Sequence, residues 1–357
     1  MSKIIYASYI PFHVNNPYAD NVMRLLEKKG IHNVPIKDCL KSSKVMKKCE
    51  IFNFNWFERV ESFGEYLKKC ILLDYLKING KKIIYTIHNR QPHDIKNSKY
   101  SIKMMKKLAK KSDLILGLCD DTRNVLLQIS PNSVNKLCYI AHPNYIHNYP
   151  KIPSDDEVIE LKKRIGIPLE NAVFLFIGAV SPYKNIEILV NAFKKIKNDN
   201  VTLLIAGRPN TDEYGNSLLK IVEDSSNIIC DFRYIPEEDI PAYYKMCELV
   251  ILPYDKKSSL NSGAVFLSFS LRKTVICPMI GTIKSLKDKS FLYCYDYSDI
   301  RDHETILEKT IKKAMDDYTK DKTIFRMLGN KAYEYVELNN SDECIANEYY
   351  SIYSSLI

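Results

Sequence analysis

One segment of the chain, residues 173–207, constrains the fold more than any other. It begins with the apolar run Val173–Ile177, which ends at Gly178 and is typical of a buried strand. A polar loop and apolar residues at helical spacing follow, and then a second apolar run, Val201–Ala206, ends at Gly207. A strand, a helix and a second strand in this order predict a parallel crossover unit. Such a unit indicates an α/β domain built on a parallel sheet.

Strand-like and helix-like segments alternate along the rest of the chain as well, which is the pattern of a parallel sheet covered by helices. In the first half, strands are predicted over 4–7, 50–54, 82–87, 113–118 and 137–141, and helices over 18–29, 63–78, 96–111 and from 122. In the second half, helices are predicted over 156–165, 236–247 and 262–271 and from about 304, and strands over 228–231, 249–252 and 274–277. A polar, proline-containing segment at 147–153 predicts a linker between two domains.

Charge is unevenly divided between the two halves. Residues 1–150 carry 25 Lys and Arg against 12 Asp and Glu, whereas the remainder carries 27 against 31. A basic half of this kind indicates an anionic partner. Nucleic acid is not the expected partner, because no platform of stacking aromatic residues and no known binding motif accompanies the lysines.

The densest group of lysines lies in residues 96–111. If this segment is helical, an apolar strip with lysines beside it is formed by Met104, Met105, Leu108 and Ala109. That arrangement fits the surface of an anionic membrane. An ordinary solvated helix face is the alternative interpretation.

Composition also bears on location and cofactors. No apolar run approaches the roughly 20 residues of a membrane span, and the first residues lack the apolar core of a signal peptide. The ten cysteines are scattered and no pair is spaced C-x-x-C, so we expect reduced thiols in a cytoplasmic protein. The basic first half adds the expectation of a peripheral position on the inner membrane face. No Asp-x-Asp pair follows a predicted strand, and we therefore expect neither a metal nor another cofactor.

Lys184 is the cation best placed for a ligand. Ligands of doubly wound sheets bind beyond the carboxyl ends of the strands, and Lys184 lies in such a loop. A phosphate there meets both an ammonium group and a helix N-terminus. The alternative is an ordinary exposed lysine beside Tyr183.

Motifs in both halves resemble those of GT-B glycosyltransferases, close to glycosyltransferase family 4 and similar to its bacterial exopolysaccharide and capsule type. The second half has them in the family's order: Phe-Ile-Gly-Ala-Val-Ser-Pro-Tyr-Lys-Asn at 176–185, Leu-Leu-Ile-Ala-Gly-Arg-Pro at 203–209, Cys-Glu-Leu-Val-Ile-Leu-Pro-Tyr at 247–254 and Asn-Ser-Gly-Ala-Val-Phe-Leu-Ser-Phe-Ser at 261–270. The first half matches less strongly, at 16–18, 85–89, 92–94 and 141–145.

The resemblance implies the GT-B fold, in which two Rossmann-like doubly wound α/β domains face a cleft. Residues 1–150 then form an acceptor-binding domain and residues 151–335 a nucleotide-sugar donor-binding domain. Residues 336–357 form a C-terminal helix that packs back on the first domain.

The family's motifs assign donor contacts to the second domain. Lys184 is implied to pair with a donor phosphate, and the helix beginning at Ser262 and Gly263 is implied to bind the distal phosphate through its amides; simple helix capping by Ser262 is the alternative. The complete implied donor-binding set is Gly178, Tyr183, Lys184, Arg208, Tyr234, Ile235, Asn261, Ser262 and Gly263.

The motifs of the first domain imply acceptor contacts. His88 matches the family histidine near the transferred sugar, where it positions the sugar or the acceptor; a purely structural histidine is the alternative. Asp94 is assigned as proton acceptor for the incoming hydroxyl. The implied catalytic residues are His88, Asp94 and Lys184, and the implied acceptor contacts are His13, Asn16, Asn89 and His93.

Two features depart from the family's pattern. Ala179 stands where many members have an arginine. Ser259 and Leu267 stand where many members have two glutamates, the second of which holds the ribose. Leucine accepts no hydrogen bond, so either another group binds the ribose or this subgroup manages without that contact.

The resulting hypothesis is a metal-independent, retaining hexosyltransferase. Its donor is a nucleoside-diphosphate sugar, and its acceptor is a lipid-linked glycan in cell-surface polysaccharide synthesis. The departures motivate an alternative, a catalytically silent GT-B domain that acts as a binding or partner subunit. A sugar-phosphate epimerase or phosphorylase on the same architecture is a further alternative. A dinucleotide oxidoreductase is disfavoured, because no Gly-x-Gly-x-x-Gly follows the first strand.

Overall fold

The computed structural model describes residues 4–11, 16–90, 98–196 and 198–357, which fall into two compact units. The first unit takes its described residues from Met1–Pro143, Lys257–Asn261 and Asn339–Ile357, and the second from Asn144–Lys256 and Ser262–Leu338. The chain therefore passes into the second unit after Pro143, a few residues before the linker predicted from the sequence.

Six strands form the sheet of the first unit in the order β2-β1-β3-β4-β5-β6, and all neighbouring strands are parallel. The strands are β1 (Ile5–Ile10), β2 (Ile31–Asn33), β3 (Ile51–Asn55), β4 (Lys82–Ile87), β5 (Leu114–Gly117) and β6 (Leu137–Tyr139). The helices before residue 144 are α1 (Pro17–Lys28), α2 (Ile36–Lys41), α3 (Ser43–Lys48), α4 (Phe63–Ile78), α5 (Ser98–Lys111) and α6 (Thr122–Ile129).

The second unit has the same architecture, with strand order β12-β11-β10-β7-β8-β9 and only parallel neighbours. Its strands are β7 (Ala172–Ile177), β8 (Val201–Ala206), β9 (Ile228–Asp231), β10 (Leu249–Ile251), β11 (Val275–Pro278) and β12 (Tyr293–Tyr295). Its helices are α7 (Asp155–Ile165), α8 (Ile186–Lys194), α9 (Asp212–Val222), α10 (Ile240–Met246), α11 (Gly263–Ser270), α12 (Gly281–Ser285), α13 (Ile300–Lys320) and α14 (Ile324–Asn339).

The C-terminal helix α15 (Asp342–Ser354) packs against α1 of the first unit. Arg24 Nη1 lies 2.7 Å from Asp342 Oδ2, and the hydroxyl groups of Tyr18 and Tyr349 lie 3.3 Å apart. These contacts fix the end of the chain against the helix that follows the first strand.

Both faces of each sheet are buried, which explains the continuous apolar runs of the strands. In β7, Phe174 and Phe176 pack into the core on one face, while Val173 and Leu175 pack into the core on the other. Each sheet is thus covered by helices on both sides. The surface at the carboxyl ends of the strands is left for the loops that carry the predicted site residues.

The predicted elements agree with the structure where the apolar pattern is long and uninterrupted. Helix 63–78 and strands 82–87, 201–206 and 228–231 have the predicted bounds. The predicted helix 236–247 is shorter in the structure, because α10 begins at Ile240 with Pro241 in its first turn.

Some elements were missed. Helix α9 was not predicted because Gly215 interrupts its pattern; a Cβ at Gly215 would lie 2.9 Å from Pro209 Cγ, so close packing selects glycine there. The short strands β2 and β12 and the short helices α2, α3 and α12 also escaped the sequence analysis, since each spans six residues or fewer.

The end of β8 approaches the end of β7 too closely for a side chain on Gly207. Gly178 and Gly207 have φ values of 139° and 137°, in a region that favours glycine. A Cβ built on Gly207 would lie 1.9 Å from the carbonyl oxygen of Gly178. The two glycines therefore let the loops leave these adjacent strands side by side.

We expect Gly207→Ala to destabilise the protein by about 3 kcal/mol or more, because backbone strain and a backbone clash add. Gly80→Ala is the matched control, since Gly80 also has positive φ (69°) but no atom within 4 Å of its Cβ position. Urea unfolding of both variants measures the difference. Equal losses of stability in the two variants would contradict the close approach of β7 and β8.

Candidate functional site

Lys184 ends a short 3-10 turn, Pro182–Lys184, in the loop between β7 and α8. Its Nζ lies 4.1 Å from the centroid of the Tyr254 ring and 5.0 Å from that of the Tyr183 ring. Asn185 follows with φ of 55° and leads directly into α8. The ammonium is thus held over two aromatic faces beyond the carboxyl end of a central strand.

Tyr254 joins Lys184 to the start of α11. Its ring is buried, and its hydroxyl accepts a hydrogen bond of 3.2 Å from Ser262 Oγ. Ser262 is the N-cap of α11, and its Oγ accepts from Val265 N at 3.3 Å. The amides of the first helical turn, beginning at Gly263, have no partner within the helix by geometry. Tyr254 was quoted as part of a sequence motif but was not predicted as a site residue.

Capping by Ser262, the alternative interpretation from the sequence, is therefore present in the structure. It does not exclude a ligand, because an N-cap serine satisfies only one of the amides at the helix start. Ser262 N itself donates to Thr282 Oγ1 at 3.0 Å, which fixes the loop that enters the helix.

The predicted contacts to base and ribose lie beyond the ends of the next strands of the same sheet. Arg208 is exposed after β8, and Tyr234 is 61% exposed in the loop after β9. Ile235 packs partly against the core. Sequence analysis overlooked Arg233, which lies 3.2 Å from Asp231 Oδ1 and donates to the Tyr243 hydroxyl at 2.9 Å, and so braces this loop.

Asn261 differs from the other predicted donor contacts, because it belongs to the first unit. Its Nδ2 donates to the carbonyl oxygens of Ile87 and His88, at 3.3 and 3.1 Å. These bonds give Asn261 a structural function at the end of β4, and its contact with the donor stays a prediction.

His88 follows β4 in the first unit and is buried among polar and aromatic groups. Its ring stacks on Trp56 with centroids 4.0 Å apart and an interplanar angle of 18°. Its Nε2 lies 2.9 Å from Asn55 Oδ1, which also accepts from the Tyr9 hydroxyl at 3.1 Å. These contacts give His88 a structural function, and its contact with the sugar or the acceptor stays a prediction.

Burial, and to a smaller extent the neighbouring His142, lower the pKa of His88 to about 3. Burial also lowers the pKa of His142, to about 4. Because Asn55 Nδ2 donates to the Ile10 carbonyl, its Oδ1 is the acceptor, and His88 therefore carries its proton on Nε2. His88 is a neutral imidazole whose Nδ1 accepts hydrogen bonds.

A cavity of about 490 Å³ opens beside this histidine's neighbours. Its lining comprises Ile10, Pro11, Asn16, Asn55, Trp56, Phe57, Arg59 and Lys69. Trp56, the only tryptophan of the chain, has φ of 51°, a strained conformation for a bulky residue. The sequence shows that Trp56 follows a buried strand, but its contact with His88 arises only in the fold, so the sequence analysis did not select it.

The other residues predicted to contact the acceptor are Asn16, Asn89, His13, His93 and Asp94. Asn16 is the N-cap of α1, where its Oδ1 accepts from Tyr18 N at 3.0 Å, and it also lines the cavity. Asn89 is half-buried directly after His88. His13, His93 and Asp94 lie outside the described residues, so their functions stay predictions.

The apolar strip predicted on the basic helix exists but does not face a membrane. Met104, Met105, Leu108 and Ala109 of α5 are fully buried in the core of the first unit. The expectation that this strip contacts lipid is therefore wrong, because helical spacing shows which side is apolar but not what covers it. In the part of the chain that the structure describes, no helix has the length and apolar character needed to cross a bilayer.

The chain is similar to known glycosyltransferases in sequence and in fold. Residues 157–259 match the family model of the glycosyl transferases group 1. A protein of Xanthomonas campestris pv. campestris, named GDP-mannose:glycolipid 4-beta-D-mannosyltransferase, is 22% identical over 243 residues, which are 66% of this chain and 62% of that protein. This chain thus spans less than two thirds of that relative's own length.

Solved structures match over the whole chain. An Anabaena protein in complex with UDP has a TM-score of 0.71 at 14% identity, covering 99% of this chain and 100% of the other. A glycosyltransferase from Rickettsia africae has a TM-score of 0.72 at 14% identity, covering 100% and 99%. Together with the two parallel sheets, these matches confirm the α/β fold of the GT-B class.

We expect the stability of the protein to fall as the pH drops from about 6.5 towards 3. In that interval His88 binds a proton in the unfolded chain but not in the folded one, which costs about 1.4 kcal/mol per pH unit. Replacing His88 by Gln should reduce the slope of unfolding free energy against pH by about that amount between pH 4 and 6, measured by urea titration. The two proteins should have equal slopes above pH 7.5. An unchanged slope at low pH would mean that His88 is not buried as described.

Proposed function

We propose that this chain, a GT-B glycosyltransferase by its fold and its group 1 domain at residues 157–259, transfers a hexose from a nucleoside-diphosphate sugar to a glycolipid acceptor. The observation that carries the proposal is the arrangement of Lys184, Tyr254 and Ser262 at the carboxyl ends of β7 and β10. The name of the Xanthomonas relative supports both a sugar nucleotide as donor and a glycolipid as acceptor.

Departure of the nucleoside diphosphate leaves negative charge on the leaving group. The Lys184 ammonium supplies a point charge for it, and the first amides of α11 supply hydrogen bonds and the positive end of a helix dipole. Both groups are fixed before the reaction, since Tyr254 contacts Lys184 with its ring and Ser262 with its hydroxyl. Preorganised donors of this kind stabilise developing charge effectively.

The base and ribose are proposed to lie along the ends of β8 and β9, against Arg208, Tyr234 and Ile235. Leu267, where many relatives have the ribose-binding glutamate, packs partly against the core of the second unit. We therefore assign the ribose contact to Arg208, which is exposed directly after the Gly207 turn.

The acceptor is proposed to bind the first unit at the cavity beside Trp56. An aromatic face and several amide groups suit the apolar and hydroxyl-bearing faces of a sugar. His88, neutral and with Nδ1 as acceptor, orients a sugar hydroxyl rather than supplying charge. Asp94 is proposed as the proton acceptor, and the transfer as metal-independent.

We further propose that the protein works in the cytoplasm, on the inner face of the membrane, in cell-surface polysaccharide synthesis. The acceptor is then a lipid-linked glycan that the enzyme meets at the bilayer surface. The basic first half of the sequence supports an anionic surface as a partner.

A second candidate is a catalytically silent GT-B subunit that only binds its ligands. It is favoured by Ala179 and by the apolar packing of Leu267, which leave two family positions without their polar groups. The two candidates are separated by offering the protein a panel of nucleotide sugars and measuring hydrolysis and transfer. Binding of a nucleotide with neither reaction would favour the silent subunit.

Replacing Lys184 by Ala is expected to lower turnover at least tenfold, because one charge on the leaving diphosphate is lost. The exposed Lys220 of α9 offers a matched control, and Lys220→Ala should retain full activity. Thermal shift with UDP, GDP, ADP, TDP and CMP first identifies the nucleotide, since a ligand of the folded state raises the melting temperature. Full turnover in the Lys184→Ala variant would remove the phosphate assignment.

Two substitutions of Tyr254 separate the contributions of its ring and its hydroxyl. Tyr254→Phe keeps the ring under the Lys184 ammonium and should lose less than about fivefold in kcat/KM. Tyr254→Leu removes both the ring and the hydroxyl, and its kcat/KM should fall to that of the Lys184→Ala variant. Melting temperatures show whether each variant is folded. Equal activity of a folded Leu variant and the native protein would mean that Tyr254 does not position Lys184.

A further inference from the structure

Helix α4 of the first unit presents a row of large apolar side chains to solvent. The exposed fractions are 58% for Phe63, 47% for Leu67, 60% for Ile71, 43% for Tyr75 and 85% for Ile78. At 3.6 residues per turn, these five side chains fall within about 120° of the helix circumference, along about 22 Å of its axis. We call this row the α4 ridge.

The fold itself does not require the ridge to be apolar. Helix α4 fully buries only Leu73 and Leu76, which pack into the core of the first unit. Solvent-facing positions of such a helix are ordinarily polar, and a continuous exposed apolar surface marks an interaction site.

Lysines of the adjacent helix α5 lie beside the ridge. Helix α5 contains six lysines and no acidic residue, and exposed side chains on its outer face are Lys99, Lys103, Lys106 and Lys110. The two helices are tied together by ion pairs from Asp74 of α4 to Lys107 and Lys111, at 2.8 and 2.7 Å. At their other end, the rings of Phe63 and Tyr100 lie 5.8 Å apart.

The acidic side chains of α4 are neutralised within the same pair of helices. Asp74 contacts two lysines, and Glu65 lies 2.8 Å from Lys69. On α4 itself, Lys68 adds a further exposed cation next to Leu67. The surface therefore combines an apolar row with a field of positive charge.

We propose that the α4 ridge and the exposed lysines of α5 form the surface by which the protein lies on an anionic membrane. The apolar side chains enter the boundary of the acyl region, while the lysines contact lipid phosphates. A second copy of the chain suits this surface less well, since it would bring two sets of lysines together.

The position of α4 gives the contact a purpose that rests on the proposed function. Lys69 of α4, together with Phe57 and Arg59 just before the helix, lines the cavity assigned to the acceptor. Lys69 lies on the side of α4 opposite to the ridge, so a helix lying on the bilayer holds that cavity about 10 Å, one helix diameter, from the lipid surface, within reach of the head of a lipid-linked glycan.

The test is flotation with vesicles of phosphatidylcholine alone or mixed with phosphatidylglycerol, without donor or acceptor. The native protein should bind the mixed vesicles. Two multiple variants should each lower binding at least fivefold. The serine variant carries Leu67→Ser, Ile71→Ser and Ile78→Ser, and the glutamine variant carries Lys99→Gln, Lys103→Gln, Lys106→Gln and Lys110→Gln. The matched control is the double variant Ile152→Ser/Leu338→Ser, which replaces apolar side chains of the second unit that are 83% and 79% exposed. This variant should bind the mixed vesicles as well as the native protein does.

All replaced side chains are exposed, so melting temperatures should stay close to that of the native protein. The proposed docking surface is contradicted if the native protein does not bind anionic vesicles, or if the serine variant binds them as the native protein does. It is equally overturned if the native protein dimerises and the serine variant is monomeric while both bind vesicles alike. The nucleotide thermal shift of the serine variant should match that of the native protein. A failure of the proposed function, seen as absence of any nucleotide shift, is thus distinguished from a failure of membrane docking.

Discussion

The parallel direction of all strands within each sheet is the constraint on which the site depends. Because parallel strands end at one edge, residues far apart in the chain reach the same place without long connections. In the second unit this brings the Lys184 loop after β7, Tyr254 after β10 and the Ser262 cap of α11 together. Gly178 and Gly207, at the ends of β7 and β8, also shape this edge, since they let the loops that follow these two strands leave side by side.

The two units supply different chemistry at their strand ends. The second unit presents a cation and a helix N-terminus, which suit a diphosphate. The first presents a neutral imidazole, an indole and amide groups, which suit an uncharged sugar. Burial accounts for this contrast in part, because it keeps His88 and His142 unprotonated. Positive charge in the first unit lies on Arg59 and Lys69, which line the cavity, and on the lysines of α5, which flank the α4 ridge on the outer surface.

Sequence alone predicted what depends on local, repeated patterns. The parallel α/β class and the bounds of α4 and β8 follow from long apolar runs and helical spacing, whereas the GT-B fold was implied by the resemblance of the motifs. The predicted loop holds Lys184. Tyr254 and Trp56 were missed because their importance arises from contacts with residues distant in the sequence. The apolar strip of α5 was predicted correctly, but the prediction that it contacts lipid was wrong, because the strip faces the protein core. The exposed apolar row on α4 was not predicted. Periodicity identifies an apolar face without saying whether protein covers it.

A crystal structure of the protein with a nucleoside diphosphate tests the central claim most directly. The account predicts the distal phosphate within hydrogen-bond distance of Lys184 Nζ and of the first amides of α11. It also predicts that the Tyr254 ring remains under the ammonium. A nucleotide bound with its phosphates away from both Lys184 and the start of α11 would contradict the account.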